Sequence, residues 1–297
     1  MSKIKASRED RIFNAVVHVI IALIVLTVVY PLVYVLSCSF SSPSMVGSGK
    51  VWLLPKGLTL IGYERVFKDS MIVRGYANTI GYTIVGTLIN LIVTMPCGYA
   101  LSKKTLPGRG VFMAFFMFIM YFSGGMIPTF LLVNSLRLYN TRAILVILGA
   151  FSTYNCIICR TFFLNIPKEL EEAAEIDGSS VYRTFFQIVM PVSKALLGVM
   201  VLYFAVGHWN SYFTALIYIN NEDYKPLQLV LRNILVEEQT SAAMMTEVGD
   251  DYANERRQLA QLLRYSVIVV SAAPMLMIYP FLQKYFDQGV MIGSVKG

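Results

Sequence analysis

Six stretches of this 297-residue sequence carry no Asp, Glu, Lys or Arg: Ile12 to Gly49, Gly75 to Ser102, Gly110 to Leu136, Ala143 to Cys159, Ala195 to Asn221 and Tyr265 to Gln283. They run for 38, 28, 27, 17, 27 and 19 residues. A helix needs about 20 apolar residues to cross a hydrocarbon layer of roughly 30 Å. Five of the runs reach or nearly reach that length. The fourth is short, but Arg142 and Arg160 flank it, and such side chains snorkel to the headgroups. The expectation is an all-α, polytopic membrane protein with spans at about 12–38, 76–102, 111–134, 143–160, 195–219 and 265–283.

Composition agrees. The chain is 56% hydrophobic and 14% charged, more apolar than one buried core can use and far less charged than a soluble domain. That excludes a disordered chain, a disulfide scaffold and an ordinary cytosolic enzyme. A net charge of +7 would by itself permit a nucleic-acid partner. The basic residues, however, are scattered between the apolar runs instead of lining one face, so none is expected.

Pro31, Pro96, Pro128, Pro274 and Pro280 fall inside the runs. Broken helices persist in a membrane only where neighbours or a cavity satisfy the freed backbone groups, which favours a bundle around a path over a simple anchor. Six spans place both ends on one side. Lys3, Lys5, Arg8 and Arg11 precede the first span, and the short loop 103–110 carries Lys103, Lys104 and Arg109, so both termini are expected in the cytoplasm. Summed over whole loops, the two sides carry nearly equal basic charge. The first run is too long for a cleaved signal and lacks an Ala-x-Ala site, so it reads as an uncleaved span. Cys156 and Cys159 have CxxC spacing but no second pair or histidine beside them, and read as small apolar filler.

No Walker A loop, GxGxxG or HExxH occurs, and the two histidines, His18 and His208, both lie in spans. With no metal-ligand set and no aqueous domain to carry a catalytic core, the chain is expected to move something, not to transform it. The most informative polar segment is the loop 166–191. Pro167 stands near the first turn of a short helix, Glu169, Glu171 and Glu172 cluster at its amino end, and Gly178 follows its carboxyl end. Ala173, Ala174 and Ile176 leave a smooth surface for another protein. A second helix then feeds into the fifth span. An amphipathic helix lying at the membrane interface is the competing reading.

Glu172-Ala173-Ala174, three residues, Gly178, nine residues and Ile188-x-Met190-Pro191 resemble the EAA loop of bacterial ABC-importer permeases, with methionine in place of the usual leucine. The ending Gly289 to Gly297 is similar to the Gly-x-Val-Lys-Gly tail of MalG-type sugar permeases. Phe122 to Pro128, Gly207 to Tyr212 and Tyr279 to Phe286 resemble the LplC/YtcP-like branch, associated with oligosaccharides and polysaccharide fragments. The likeness covers nearly the whole chain. It implies a type I ABC-importer transmembrane domain of the MetI/MalG kind over 12–284, with a cytoplasmic segment at 1–11 and a cytoplasmic tail at 285–297, in a bacterial plasma or inner membrane.

The same resemblance implies that Glu172, Ala173, Ala174, Asp177 and Gly178 dock on a cytoplasmic ATPase, with capping of the second helix as the plainer role for Asp177. It implies that Gly293, Val295, Lys296 and Gly297 can reach the ATPase pair. The partners would be a homologous second permease subunit in a heterodimer, two ABC ATPase subunits, an extracytoplasmic solute-binding protein facing the loop 222–264, and membrane lipid. ATP and Mg would sit on the ATPases, with no cofactor on this chain.

Sugar recognition needs aromatic faces for pyranose rings and amides or hydroxyls for their oxygens. Tyr203, Trp209, Asn210 and Tyr212 supply these within ten residues of the fifth span, the helix that sugar permeases use to line their path. Asn210 is the leading expected contact, because an amide in a span is costly without a partner or cavity, with interhelical hydrogen bonding as the alternative. Ser123 completes the set, with close helix contact as its alternative. His208 reads as a packed, hydrogen-bonded residue. Two rival readings are an ABC permease for a non-sugar solute and an ion-coupled secondary transporter. The second would need carboxylates at the bilayer midplane, and the spans contain none.

Overall fold

The computed structural model describes residues 7–244 and 251–294. Helices account for its regular structure, and no strand occurs among the described residues. In chain order they are α1 (Arg8–Ser39), α2 (Pro43–Gly47), α3 (Ile61–Lys68), α4 (Ser70–Ser102), α5 (Arg109–Tyr121), α6 (Met126–Ser135), α7 (Ile144–Ile147), α8 (Thr153–Phe163), α9 (Glu169–Ile176), α10 (Val181–Thr184), α11 (Met190–Val192), α12 (Lys194–Trp209), α13 (Phe213–Tyr218), α14 (Leu227–Met244) and α15 (Asp251–Ser294). Two compact units result, one from residues up to 69 with 233–273, the other from 70–232 with 274 onward.

Three described helices are long and apolar enough to cross a membrane: Glu9–Ser39, Ser70–Ser102 and Arg257–Pro280. Two bent pairs raise the number to five if each is one span. Arg109–Tyr121 meets Met126–Ser135 at 111°, and Val181–Val192 meets Lys194–Trp209 at 85°. The expected span at 143–160 is not one helix. It divides into α7 and α8 around a non-helical stretch at 148–152. The expected span at 195–219 likewise breaks after Trp209 and resumes at Phe213.

The breaks do not follow the prolines. Pro31, Pro96, Pro274 and Pro280 sit inside continuous helices, and Pro128 falls in the first turn of α6, where a missing N–H is harmless. The chain opens instead at Phe122 to Gly125, at 148–152 and at 210–212. Each break contains serine with glycine, asparagine or both, residues that solvate backbone or relax it.

In the first unit, α1 starts at a capping box. Ser7 Oγ accepts from the Asp10 amide at 3.1 Å while Asp10 Oδ2 accepts from the Ser7 amide at 3.0 Å. Beyond its first turns the helix is apolar all round and exposed along Val16 to Leu32, as expected of a helix whose surroundings are lipid or a second subunit. Cys38, Val46, Val51 and Leu262 form a small core, with Tyr34 edge-on to Tyr265 at 5.8 Å.

In the second unit α4 is the hub, packed chiefly against α8 and α12. Met95 and Tyr99 from α4, Cys159 and Phe163 from α8, Phe185 and Val189, and Leu196, Met200 and Phe204 from α12 make its main core. Another cluster joins Val133, Ile144, Ala215, Tyr218, Ile219 and Leu229. Along the buried side of α4 runs a polar stripe of Thr79, Thr87, Asn90 and Thr94 at helical spacing.

Candidate functional site

The loop 166–191 folds into two short helical pieces joined by a fixed turn. Helix α9 carries Glu169, Glu171 and Glu172 in its first turn, where the helix dipole favours anions. It ends at Asp177 in a Schellman turn: Ser179 N donates to Ala174 O at 2.9 Å and Gly178 N donates to Glu175 O at 3.0 Å. Gly178 has φ +74, which only glycine adopts without strain. Ser180, not Asp177, caps α10, its Oγ accepting from the Arg183 amide at 3.4 Å. A π-helical turn at Phe185–Val189 follows, then α11 and the 85° bend into α12.

Glu172, Ala173, Asp177 and Gly178 are exposed, whereas Ala174 turns inward and is 4% exposed. Ile176, Val181, Tyr182 and Phe186 extend the outer face with apolar surface, Ile176 reaching 87% exposure. Sequence reasoning had singled out only Ile176 of these four. The other three follow Gly178, where the apolar pattern is indistinguishable from that of an ordinary core helix.

One ion pair fastens α9 to the end of α4. Lys103 Nζ binds Glu171 Oε2 and lies 4.2 Å from the centroid of the Tyr99 ring. Tyr99 in turn packs on Phe163 at 5.7 Å and on Phe185 at 5.0 Å. The loop is thereby seated on the main core through one cation. Both side chains keep partial water access, so the pair is expected to contribute roughly 0.2–1 kcal/mol. Lys103→Glu should lower the unfolding midpoint of the purified protein, and the exchange Lys103→Glu with Glu171→Lys should recover most of the loss. A swap that recovers nothing would remove the pair from the account.

The second unit carries an open cleft of about 320 Å³. Its wall includes Asn90 from α4, Asn155 from α8, Tyr203 and His208 from α12, and Ser211 and Thr214 just beyond. Asn90 is 1% exposed and fully oriented. Its Nδ2 donates to Gly149 O at 2.6 Å in the break between α7 and α8, so its Oδ1 must accept from His208 Nε2, 2.7 Å away. His208 therefore donates from Nε2. Gly86 allows the arrangement, because a Cβ there would collide with the imidazole.

Of the expected path residues, only Tyr203 lines this cleft. Asn210 ends α12, with Nδ2 donating to Val206 O at 3.0 Å. Trp209 is buried, edge-on to Tyr76 at 5.9 Å. Tyr212 is exposed and edge-on to Phe213, and Ser123 is exposed in the bend between α5 and α6. Asn90 and Asn155 were missed, although an amide in a span was the signal used to choose Asn210. Gly293 lies on α15. Val295, Lys296 and Gly297 of the expected tail, Lys3 and Lys5 of the amino-terminal segment, and Glu247 and Asp250 of the loop 222–264 lie outside the described residues.

The described residues form an all-helical, membrane-type domain with an exposed short helix at Glu169–Ile176 and an open cleft beside α4, α8 and α12. Residues 70–292 match the family described as binding-protein-dependent transport system inner membrane component, and the chain belongs to that family. Among its relatives, the polygalacturonan/rhamnogalacturonan transport system permease protein YtcP of Bacillus subtilis strain 168 is 36% identical over 289 residues, covering 97% of this chain and all of that protein. Protein LplC of the same strain is 38% identical over 269 residues, 91% of this chain and 90% of that one. A solved chain from a bacterial ABC transporter involved in the import of the acidic polysaccharide alginate superposes with a TM-score of 0.85 at 35% identity. The match covers 96% of this chain and all of that one.

Proposed function

We propose that this chain is the permease subunit of an ATP-driven importer for a carbohydrate, an oligosaccharide or polysaccharide fragment handed over by an extracytoplasmic binding protein. The carrying observation is the loop 166–191: a Schellman-closed helix with Glu172, Ala173 and Asp177 turned outward, rigidly continued through a bend into α12. That is the shape a separate motor needs in order to push on a span. The polysaccharide-related relatives support the cargo class.

On this reading six membrane crossings are made by α1, α4, α5 with α6, α7 with α8, α12 with α13, and α15, and both ends face the cytoplasm. A homologous permease subunit completes the path. Two ATPase subunits carry ATP and Mg, close on each other and draw the docking loops together, which favours the outward-open state. The loaded binding protein prefers that state and releases its sugar. Each ligand acts only through its different affinity for the two states. Gly293, Val295, Lys296 and Gly297 would extend toward the ATPases, and Asn210, Trp209, Tyr212, Tyr203 and Ser123 toward the path.

The test is ATP hydrolysis by the reconstituted assembly with its binding protein, with and without fragments of alginate, polygalacturonan and neutral glycans. Loaded binding protein should stimulate hydrolysis. Glu172→Ala should lower the stimulated rate by about tenfold or more, the scale for removing one partner of a docked charge pair. Solute movement on an ion gradient without any ATPase would replace this reading with a secondary transporter. Stimulation only by a non-sugar solute would keep the importer and change its cargo.

A further inference from the structure

We propose that the segment 50–60, shortly after α1, is a membrane-surface anchor that docks on the headgroup layer of anionic phospholipid. From the reading above it uses only the crossing of the membrane by α1.

The segment is tied to the end of that helix. Ser37 Oγ donates to Leu53 O at 2.6 Å, and Lys56 N donates to Ser41 Oγ at 3.0 Å. Ser42 N donates to Lys56 O at 3.1 Å and Thr59 N to Phe40 O at 3.0 Å. Val51 is buried in the small core with Cys38. Gly57 takes φ +67, and a Cβ there would come within 2.8 Å of Ser42 Oγ. While the backbone is fastened to α1, the large apolar side chains stay outside. Trp52 is 69% exposed, Leu54 75% and Leu58 77%, and Leu53 and Leu60 are each more than half exposed. Five such side chains within nine residues of a tied-down loop mark a surface that something covers.

Depth, charge and composition say what covers it. A helix rises about 1.5 Å per residue, so a hydrocarbon layer of roughly 30 Å that begins after Arg11 ends about 20 residues later, near Leu32. The headgroup layer adds about 5–7 Å, or four to five residues, which reaches Ser37. That is where the loop is fastened, so Trp52 and its neighbours stand at headgroup level. Leu32 and Leu36 carry the exposed apolar face of α1 up to them. Lys50 and Lys56 are the only Lys, Arg, Asp or Glu between Arg11 and Glu64. Both are exposed, and neither pairs with a carboxylate among the described residues. A tryptophan among leucines with flanking lysines is the composition of a membrane interface, where the indole sits at the headgroups and the ammonium groups meet phosphates. A protein partner fits less well, because protein interfaces are depleted in lysine. The anchor also has a task. None of the most apolar stretch of α1 is buried against the rest of the chain, so the depth of that helix is left to its ends.

Trp52 reports on its own surroundings. The chain has two tryptophans, and Trp209 is buried, so the fluorescence difference between the unsubstituted full-length chain and Trp52→Phe isolates Trp52. In nanodiscs of phosphatidylcholine with brominated acyl chains, that signal should lose most of its intensity. Bromines near the headgroup should quench it more than bromines near the chain ends. A minority of brominated phosphatidylglycerol should quench it more than the same share of brominated phosphatidylcholine. The excess should be on the order of a few-fold, the scale for a lysine near an anionic surface. It should shrink as salt is raised and vanish in the double variant Lys50→Gln with Lys56→Gln.

An unquenched, red-shifted Trp52 in nanodiscs would overturn the anchor and leave the loop in water. Quenching that disappears when the second permease subunit or the binding protein is added would also overturn it and give the surface to a protein. Equal quenching by the two lipids, or an excess that survives loss of both lysines, would overturn the selection of anionic lipid. No readout here involves ATP or sugar, so a failure of the importer reading is a separate result and leaves this one standing.

Discussion

Gly178→Val is expected to abolish import while leaving the protein in the membrane. The residue sits at φ +74, and a Cβ there would meet nothing within 4 Å, so the penalty is entirely in the backbone. An L-residue forced into that region loses roughly 1–2 kcal/mol, and a β-branched one loses more. Relief is available only by opening the turn that Ser179 N and Gly178 N close onto Ala174 O and Glu175 O. Once it opens, α9 no longer holds a fixed direction relative to α10 and the bend into α12, and a push on one is not delivered to the other. ATP hydrolysis should then lose its response to loaded binding protein by about tenfold or more, since each 1.4 kcal/mol is a factor of ten in the population of the competent turn. Gly178→Asn is the control, because asparagine tolerates the left-handed region and should retain most of the activity. Equal loss in both variants would shift the explanation from conformation to surface contact.

The second large effect is expected at Asn90. Asn90→Leu keeps the branched shape and heavy-atom count of the side chain but strips two groups of their partner, the Gly149 carbonyl and His208 Nε2–H. The carbonyl belongs to the non-helical stretch at 148–152, where no i+4 amide replaces the lost donor. Leaving a buried donor or acceptor unsatisfied costs about 1–3 kcal/mol for each group. The midpoint of thermal unfolding in detergent should fall accordingly, and import should fall with it as α7 and α8 lose their register on α4. A cycle with His208→Leu separates the bond from the rest. The coupling energy should lie at about 0.6–1.7 kcal/mol, the range of polar pairs within membrane bundles. Strict additivity would mean that the two residues act independently.

Much of this protein is local and therefore legible in one dimension. Charge-free runs mark where the chain is apolar, because the cost of a charge in hydrocarbon is borne residue by residue. The start of α9, its acidic first turn and its glycine terminator were all readable for the same reason: capping and dipole effects act within one or two turns. Gly178 is at its expected place with its expected conformation. What was not local was misplaced. The prolines inside the apolar runs do not mark where helices end, since a membrane helix tolerates proline when neighbours absorb the defect. The real breaks at 122–125, 148–152 and 210–212 depend on what those stretches face.

The intramembrane site shows the division most clearly. Asn210 was chosen because an amide in a span demands a partner, and the rule was sound. Asn210 meets that demand on its own helix, through Val206 O. Asn90 obeys the same rule through Gly149, 59 residues away, and His208, 118 residues away. No spacing or periodicity links positions so distant. By itself the sequence determined that this chain lives among lipids, that a short acidic helix follows Pro167 and where that helix stops, because each follows from local chemistry along consecutive residues. Only the tertiary structure decided which polar side chains spend their hydrogen bonds on one another across helices, because that depends on which helices meet.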